Sequence, residues 1–172
     1  MLTLDDMPEF VESETVETPE DRKQRVGKRL PSELVAWKEY DRCLVNIPCV
    51  TDFSLLNALS AFRAKNMLNL EFCGALLIKA IAAEGRCPEL ELTRVYGLGA
   101  EKYGARSWQK GVNVSLLFEA AWRHLSDHMD GYKTNSDDGN CLHLSHALWQ
   151  VLAALWMQAN KPEFVDVQNE NA

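Results

Sequence analysis

The chain has 172 residues, 47% of them hydrophobic and 25% charged, with a formal net charge of −7. That is one domain's worth with a real core, and no apolar run reaches the ~18 residues of a membrane span, which excludes a helical membrane protein. The acidity is local: residues 1–21 hold eight carboxylates and no Lys or Arg, leaving 17 acids against 18 bases, so the body need not repel an anionic ligand.

Residues 1–30 read as a flexible arm, acidic first and then basic through RKQRVGKR, with few large apolar residues to anchor it. Its readings are a solvated tail or an arm that binds a partner protein or mimics nucleic acid. The opening MLTLDDMPEF is acidic where a secretory signal is basic and then apolar. Five cysteines, an odd number without a CxxC pair, form neither a disulfide framework nor a cysteine zinc site. The expected setting is the cytoplasm, with reduced thiols.

From Pro31 the pattern is helical. PSELVAWKEYDR spaces Leu34, Trp37 and Tyr40 at threes, and LVNIPCV is a short extended segment. TDFSLLNALSAFRAKN opens with a capping Thr or Asp and carries Phe53, Leu56, Leu59 and Phe62 as its apolar stripe. LNLEFCGALLIKAIAAEG is a strongly apolar helix stopped by Gly85, and PELELTRVYGLGAEKYG is a helix that frays into its glycines. SLLFEAAWRHLSDHMDG starts with Ser115 as cap, runs on Leu116, Leu117, Ala120, Ala121 and Leu125, and stops at Gly131. After the polar loop YKTNSDDGN comes the helix CLHLSHALWQVLAALWMQAN, ended by Pro162. No period-two alternation builds a sheet. The fold expected is all-α: one helical domain of four to six helices over 31–161, with a frayed tail at 162–172.

Two clusters carry chemistry. All four histidines lie between positions 124 and 146: His124 and His128 are four apart on one helix, His143 and His146 three apart on the next. Both spacings put the pair on one helix face, and a helical hairpin brings them together near a loop bearing Asp137 and Asp138. Imidazoles suit a transition metal and carboxylates suit Mg²⁺ or Mn²⁺; the bland reading is hydrogen-bonded helix histidines. Glu119 and Arg123, at i and i+4, form either an intrahelical ion pair or, with Glu119 in the apolar run LLFEAAW, an inward carboxylate seeking a metal or a base. The second cluster is GAEKYGARSWQKG. Lys102, Arg106 and Lys110 supply cations for phosphates, Tyr103 and Trp108 offer faces for a base, and the glycines allow close approach. It is no P-loop, and a Gly-rich helix connector with a buried Trp has the same composition.

The order of these motifs resembles the phage-type dATP/dGTP diphosphohydrolase family, small proteins linked to the all-α, MazG-like nucleoside triphosphate pyrophosphohydrolases. The resemblance rests on Gly99, Ala100, Lys102, Tyr103, Gly104, Trp108, Lys110 and Gly111, then Arg123-His124-Leu125, then Gly139, His143, Leu144, His146 and Ala147, across about residues 95–158. It departs from the family in reading NSDDG in the acidic loop and in placing Trp149 where a small polar residue is usual.

The resemblance implies hydrolysis of a purine deoxynucleoside triphosphate (dGTP or dATP) to the monophosphate and pyrophosphate. It implies Mg²⁺, or Mn²⁺, held by Glu119 with Asp137 and Asp138. Lys102, Arg106, Lys110 and Arg123 would neutralise phosphate charge, Tyr103 and Trp108 would hold the base, and His124, His143 or His146 would orient phosphate oxygens or relay a proton. It also implies a homo-oligomer in the cytoplasm of a phage's host, with no membrane or direct nucleic-acid partner and a possible host protein on the acidic arm. The competing class is a non-catalytic helical protein that sequesters nucleotides or binds a host protein. A zinc phosphohydrolase of the HD type is disfavoured, because the chain has no His-Asp dipeptide.

Overall fold

The computed structural model describes residues 50–167. The acidic arm, the expected helix at 31–42, nearly all of the extended segment after it, and Cys43 and Cys49 lie outside the described residues. Five α-helices follow: α1 (Asp52–Arg63), α2 (Leu70–Ala83), α3 (Pro88–Tyr103), α4 (Val114–Met129) and α5 (His143–Asn160). The fold is all-α, as the periodicity predicts. The only pairing among the described residues is a two-residue ribbon, β1 (Thr134–Asn135) with β2 (Cys141–Leu142), antiparallel, which closes the α4–α5 hairpin. No helix among these residues is long and apolar enough to cross a membrane.

Local chemistry sets the helix ends. Thr51 and Ser54 form a reciprocal capping box at α1, with the Ser54 N–H donating to the Thr51 hydroxyl at 3.3 Å. Helix α2 ends before Gly85, whose φ of +74° only glycine adopts cheaply. Pro88 opens α3. Helix α3 does not fray at its glycines: it runs through Gly97 and Gly99 to Tyr103 and breaks at Gly104, φ +87°, because Val95, Tyr96 and Ala100 are buried on its inner face.

Helix α5 is the hub, packed against α4, α2 and α3, while α1 closes over α4. Phe62 of α1 and Phe118 of α4 meet at 6.2 Å between ring centroids. Leu70, Leu76, Leu77 and Ile81 of α2 and Leu144, Leu148 and Met157 of α5 are almost completely buried, each worth about 1.5–3 kcal/mol against exposure.

Two expected stripes sit differently. Residues spaced by three lag roughly 60° per step on a helix of 3.6 residues per turn, so Phe53 and Phe62 end on opposite sides. Phe53 is 72% exposed, and the buried face of α1 is Leu55, Ala58 and Phe62. Likewise Leu116 of α4 faces solvent, and the buried face is Val114, Leu117, Phe118 and Ala121, continuing into His124, Leu125 and His128.

The start of the expected frayed tail is folded. Pro162–Phe164 form a 3₁₀ turn, and Phe164, Val165 and Val167 pack on the core. The Phe164 ring fills the space a side chain at Gly111 would need. Ser115 is not the cap of α4: Asn113 precedes the helix without a side-chain bond, and Asp166 accepts from the Ser115 N–H at 2.8 Å. The tail therefore supplies an anion to the positive end of α4.

Candidate functional site

Helix α3, the bend after it, and the α4–α5 hairpin enclose a crevice of about 210 Å³. One wall is the end of α3 and the bend, with Lys102, Tyr103, Arg106 and Trp108; the other brings His124, Asp138, His146 and Trp149. The cationic, aromatic bend and the histidine helices thus face each other. Arg106, φ +58°, makes the left-handed turn that starts the Ser107–Lys110 3₁₀ turn and swings Trp108 inward.

Trp108 is buried, edge-on to Trp149 at 6.0 Å and to Trp156 at 4.9 Å. The indole N–H groups of Trp108 and Trp149 are buried without a hydrogen-bond partner. Buried donors are nearly always satisfied in native proteins, so two orphans, one from each wall of the crevice, call for an acceptor from a ligand or a bound water. Tyr103 stands 65% exposed at the lip.

The imidazoles form a compact stack. His124 lies parallel to His146, with centroids 4.6 Å apart and 16° between planes, and its Nδ1 meets the Nδ1 of His143 at 2.9 Å. Burial, then its histidine neighbours and Arg123, push the His124 pKa down to about 3; burial pushes His146 down to about 4, against the pull of Asp138. Both rings are neutral at pH 7, and the Nδ1 of His124 is already engaged with His143. Nε2 of His146 is buried and unpartnered, 4.0 Å from Asp138 and beyond hydrogen-bond reach.

Asp138 is held by Lys102 at 2.9 Å and by the Asn135 amide at 3.2 Å. The lysine bond keeps its carboxyl below the usual range and raises Lys102 in turn. Asn135 also caps the turn by accepting from the Asp137 N–H.

Not every expected residue reaches the crevice. Glu119 lies on the far side of α4, exposed, and pairs with Lys65 of α1 at 2.9 Å rather than turning inward; five helical steps separate it from His124 by roughly 140°. Asp137 is exposed on the loop, and Lys110 and Arg123 are exposed outside the crevice lining. Glu119, Asp137 and Asp138 therefore do not converge, and this trio does not fit a Mg²⁺ ion.

Other residues do meet. Asp127, one turn after His124 and on the same helix face, puts Oδ2 3.8 Å from Nδ1 of His143. Glu91 of α3, 4% exposed, takes Arg86 at 3.0 Å and Arg94 at 3.1 Å, and Arg94 reaches the Gly139 carbonyl at 3.0 Å. That network ties the acidic loop to α3; its signal is a carboxylate between leucines with arginines at −5 and +3. His128 faces Lys133 at 3.2 Å and Glu84 at 3.8 Å, away from the crevice lining.

Fold and site define a helical domain with a cavity that is cationic and aromatic on one wall and imidazole-bearing on the other. Residues 87–167 match the family described as dATP/dGTP diphosphohydrolase, N-terminal. A stretch of 72 residues is 29% identical to a dATP/dGTP diphosphohydrolase of Salmonella phage PMBT28, covering 42% of this chain and 24% of that protein. The chain thus spans about a quarter of that relative's length. No solved structure matches it.

Proposed function

We propose that the crevice binds a purine deoxynucleoside triphosphate, dGTP or dATP, and that the chain hydrolyses it to the monophosphate and pyrophosphate. The observation that carries this reading is the single cavity shared by Lys102, Arg106, Trp108, His124, His146 and Trp149, inside the region that matches the family. The base packs between Tyr103 and the Trp108–Trp149 pair, whose orphan indole N–H groups donate to its ring acceptors. Lys102 and Arg106 take the phosphates at the lip, where phosphate competes with Asp138 for the Lys102 ammonium. A neutral, buried His146 accepts a proton from attacking water, and its stacking on His124 holds the ring in place. Lys110 and Arg123, on the surrounding surface, add to the positive field. The exposed Phe53, Leu56, Leu68 and Phe72 of the α1–α2 face are the surface for the homo-oligomer the family resemblance implies.

Incubating the purified chain with each dNTP, in Mg²⁺ and in Mn²⁺, and resolving the products tests the activity. Pyrophosphate and dNMP in equal amounts from purine substrates support it; orthophosphate, or no product from any nucleotide, contradicts it. One observation favours a second reading, nucleotide sequestration without turnover: Asp138, the one carboxylate lining the crevice among the described residues, is already neutralised by Lys102. Tight calorimetric binding of a nucleotide with no turnover identifies that case.

A further inference from the structure

We infer that His124, Asp127 and His143 form a binding site for one divalent transition-metal ion, of the Mn²⁺, Co²⁺ or Zn²⁺ kind and not Mg²⁺. The site stands on these three side chains and does not depend on the nucleotide reading.

The three donor atoms lie within 4.8 Å of one another. His124 and Asp127 are one turn apart on a single face of α4. His143 opens α5, and its backbone N–H is anchored to the Lys133 carbonyl at 3.0 Å. The ring of His124 is clamped by the stacked His146. The set is therefore pre-positioned from two helices that are locked together by the ribbon between them.

The Nδ1 atoms of His124 and His143 share a hydrogen bond at 2.9 Å, so one of them carries the proton, and both ligate an ion only when each ring holds its proton on Nε2. With metal–nitrogen bonds of about 2.1 Å, two nitrogens on one ion stand roughly 3.0 Å apart at a right angle and roughly 3.4 Å apart in a tetrahedron. The observed spacing is near the first value, so an ion with more than four coordination positions needs the two rings to turn toward it without moving apart. A small opening of the histidine pair admits a tetrahedral one.

Ligand chemistry decides which ion. Two imidazoles with one carboxylate are borderline-soft donors that favour first-row transition metals, whereas Mg²⁺ prefers oxygen and keeps its water. Burial holds His124 neutral, so no imidazolium proton has to be lost to the solvent when an ion binds. Asp127 is 42% exposed along its side chain, which leaves a route for the ion from solvent. His124 belongs to both the crevice and this set, so a bound ion would stand beside the cavity wall.

The test uses the whole chain, stripped by a chelator and titrated calorimetrically with Mn²⁺, Co²⁺, Zn²⁺ and Mg²⁺ separately, with the visible absorption of Co²⁺ recorded. The expected result is one equivalent of Co²⁺ or Zn²⁺ bound at least 100-fold more tightly than Mg²⁺. Asp127→Asn and His143→Gln should each weaken binding tenfold or more, and Glu119→Gln should leave it unchanged. Asp127 is half exposed, so Asp127→Asn folds even if a histidine variant does not. Folded wild-type chain that binds neither Co²⁺ nor Zn²⁺ overturns the site, and so does binding indifferent to Asp127→Asn. Turnover of dNTPs is scored separately, so loss of the metal site and loss of the hydrolase reading give different results.

Discussion

The two halves of helix α4 carry one continuous inward stripe and put it to opposite uses. From Val114 to Ala121 the stripe is apolar and closes on α1 through the Phe118–Phe62 contact. From His124 to His128 the same stripe turns to imidazole, faces α5, and meets unpartnered polar atoms on His146, Trp108 and Trp149. A fold uses the first half for stability. The second half leaves buried polar groups without a protein partner, groups that a ligand or bound water would satisfy.

That contrast can be broken from either side. The largest effect belongs to the apolar half: Phe118→Ala should cost about 3–5 kcal/mol, read as a shift in denaturant midpoint. A loss below about 1 kcal/mol would deny that this half is the structural one. In the imidazole half, His146→Ala should lower turnover by about a hundredfold while moving the denaturant midpoint little. An unfolded variant, or full turnover, would erase the distinction.

Between pH 6.5 and about 4, acid should act chiefly on the imidazole half. His124 and His146 titrate at about 3 and about 4 in the folded chain, below the 6.5 of an unperturbed histidine, so between these values the unfolded chain binds more protons. Stability is complete above about pH 6.5 and falls as pH drops toward 4. Thermal melts of the chelator-treated chain should show this decline, and replacing both histidines by Gln should flatten it. The smallest effect is expected on the far face: Glu119→Ala should change stability by less than about 0.5 kcal/mol and leave turnover within twofold. A tenfold loss of turnover would return Glu119 to the site.

The same helix shows what the sequence makes legible. Helix existence, the hairpin, and the meeting of His124 and His146 with Lys102 and Trp108 follow from spacing and motif order, whereas His143 contacts His124 from outside the crevice lining. What was not legible was rotation about each helix axis. Glu119 sits among apolar neighbours in the chain, yet its angular position turns it to Lys65 and solvent. Phe53 reads as core because spacing by threes resembles a face over one turn, and drifts off it over three. Asp127 looks like an ordinary surface carboxylate until long-range packing gives it His143, whereas Glu91 carries a local signal in its two arginines. The tail past Pro162 is polar enough to read as frayed, but Phe164 has a seat made by Gly111, and no local pattern announces a contact between residues so far apart.

The most direct test of the crevice as the nucleotide site is the indole ¹⁵N–¹H spectrum of the chain, assigned by Trp→Phe substitution and followed while dGTP or dATP is added. Trp108 and Trp149 carry orphan N–H groups on the cavity wall, whereas Trp122 is exposed and outside its lining. The account predicts saturable shifts of the Trp108 and Trp149 signals with a still Trp122. Turnover of a purine triphosphate with both wall signals unmoved would place the nucleotide elsewhere and contradict it.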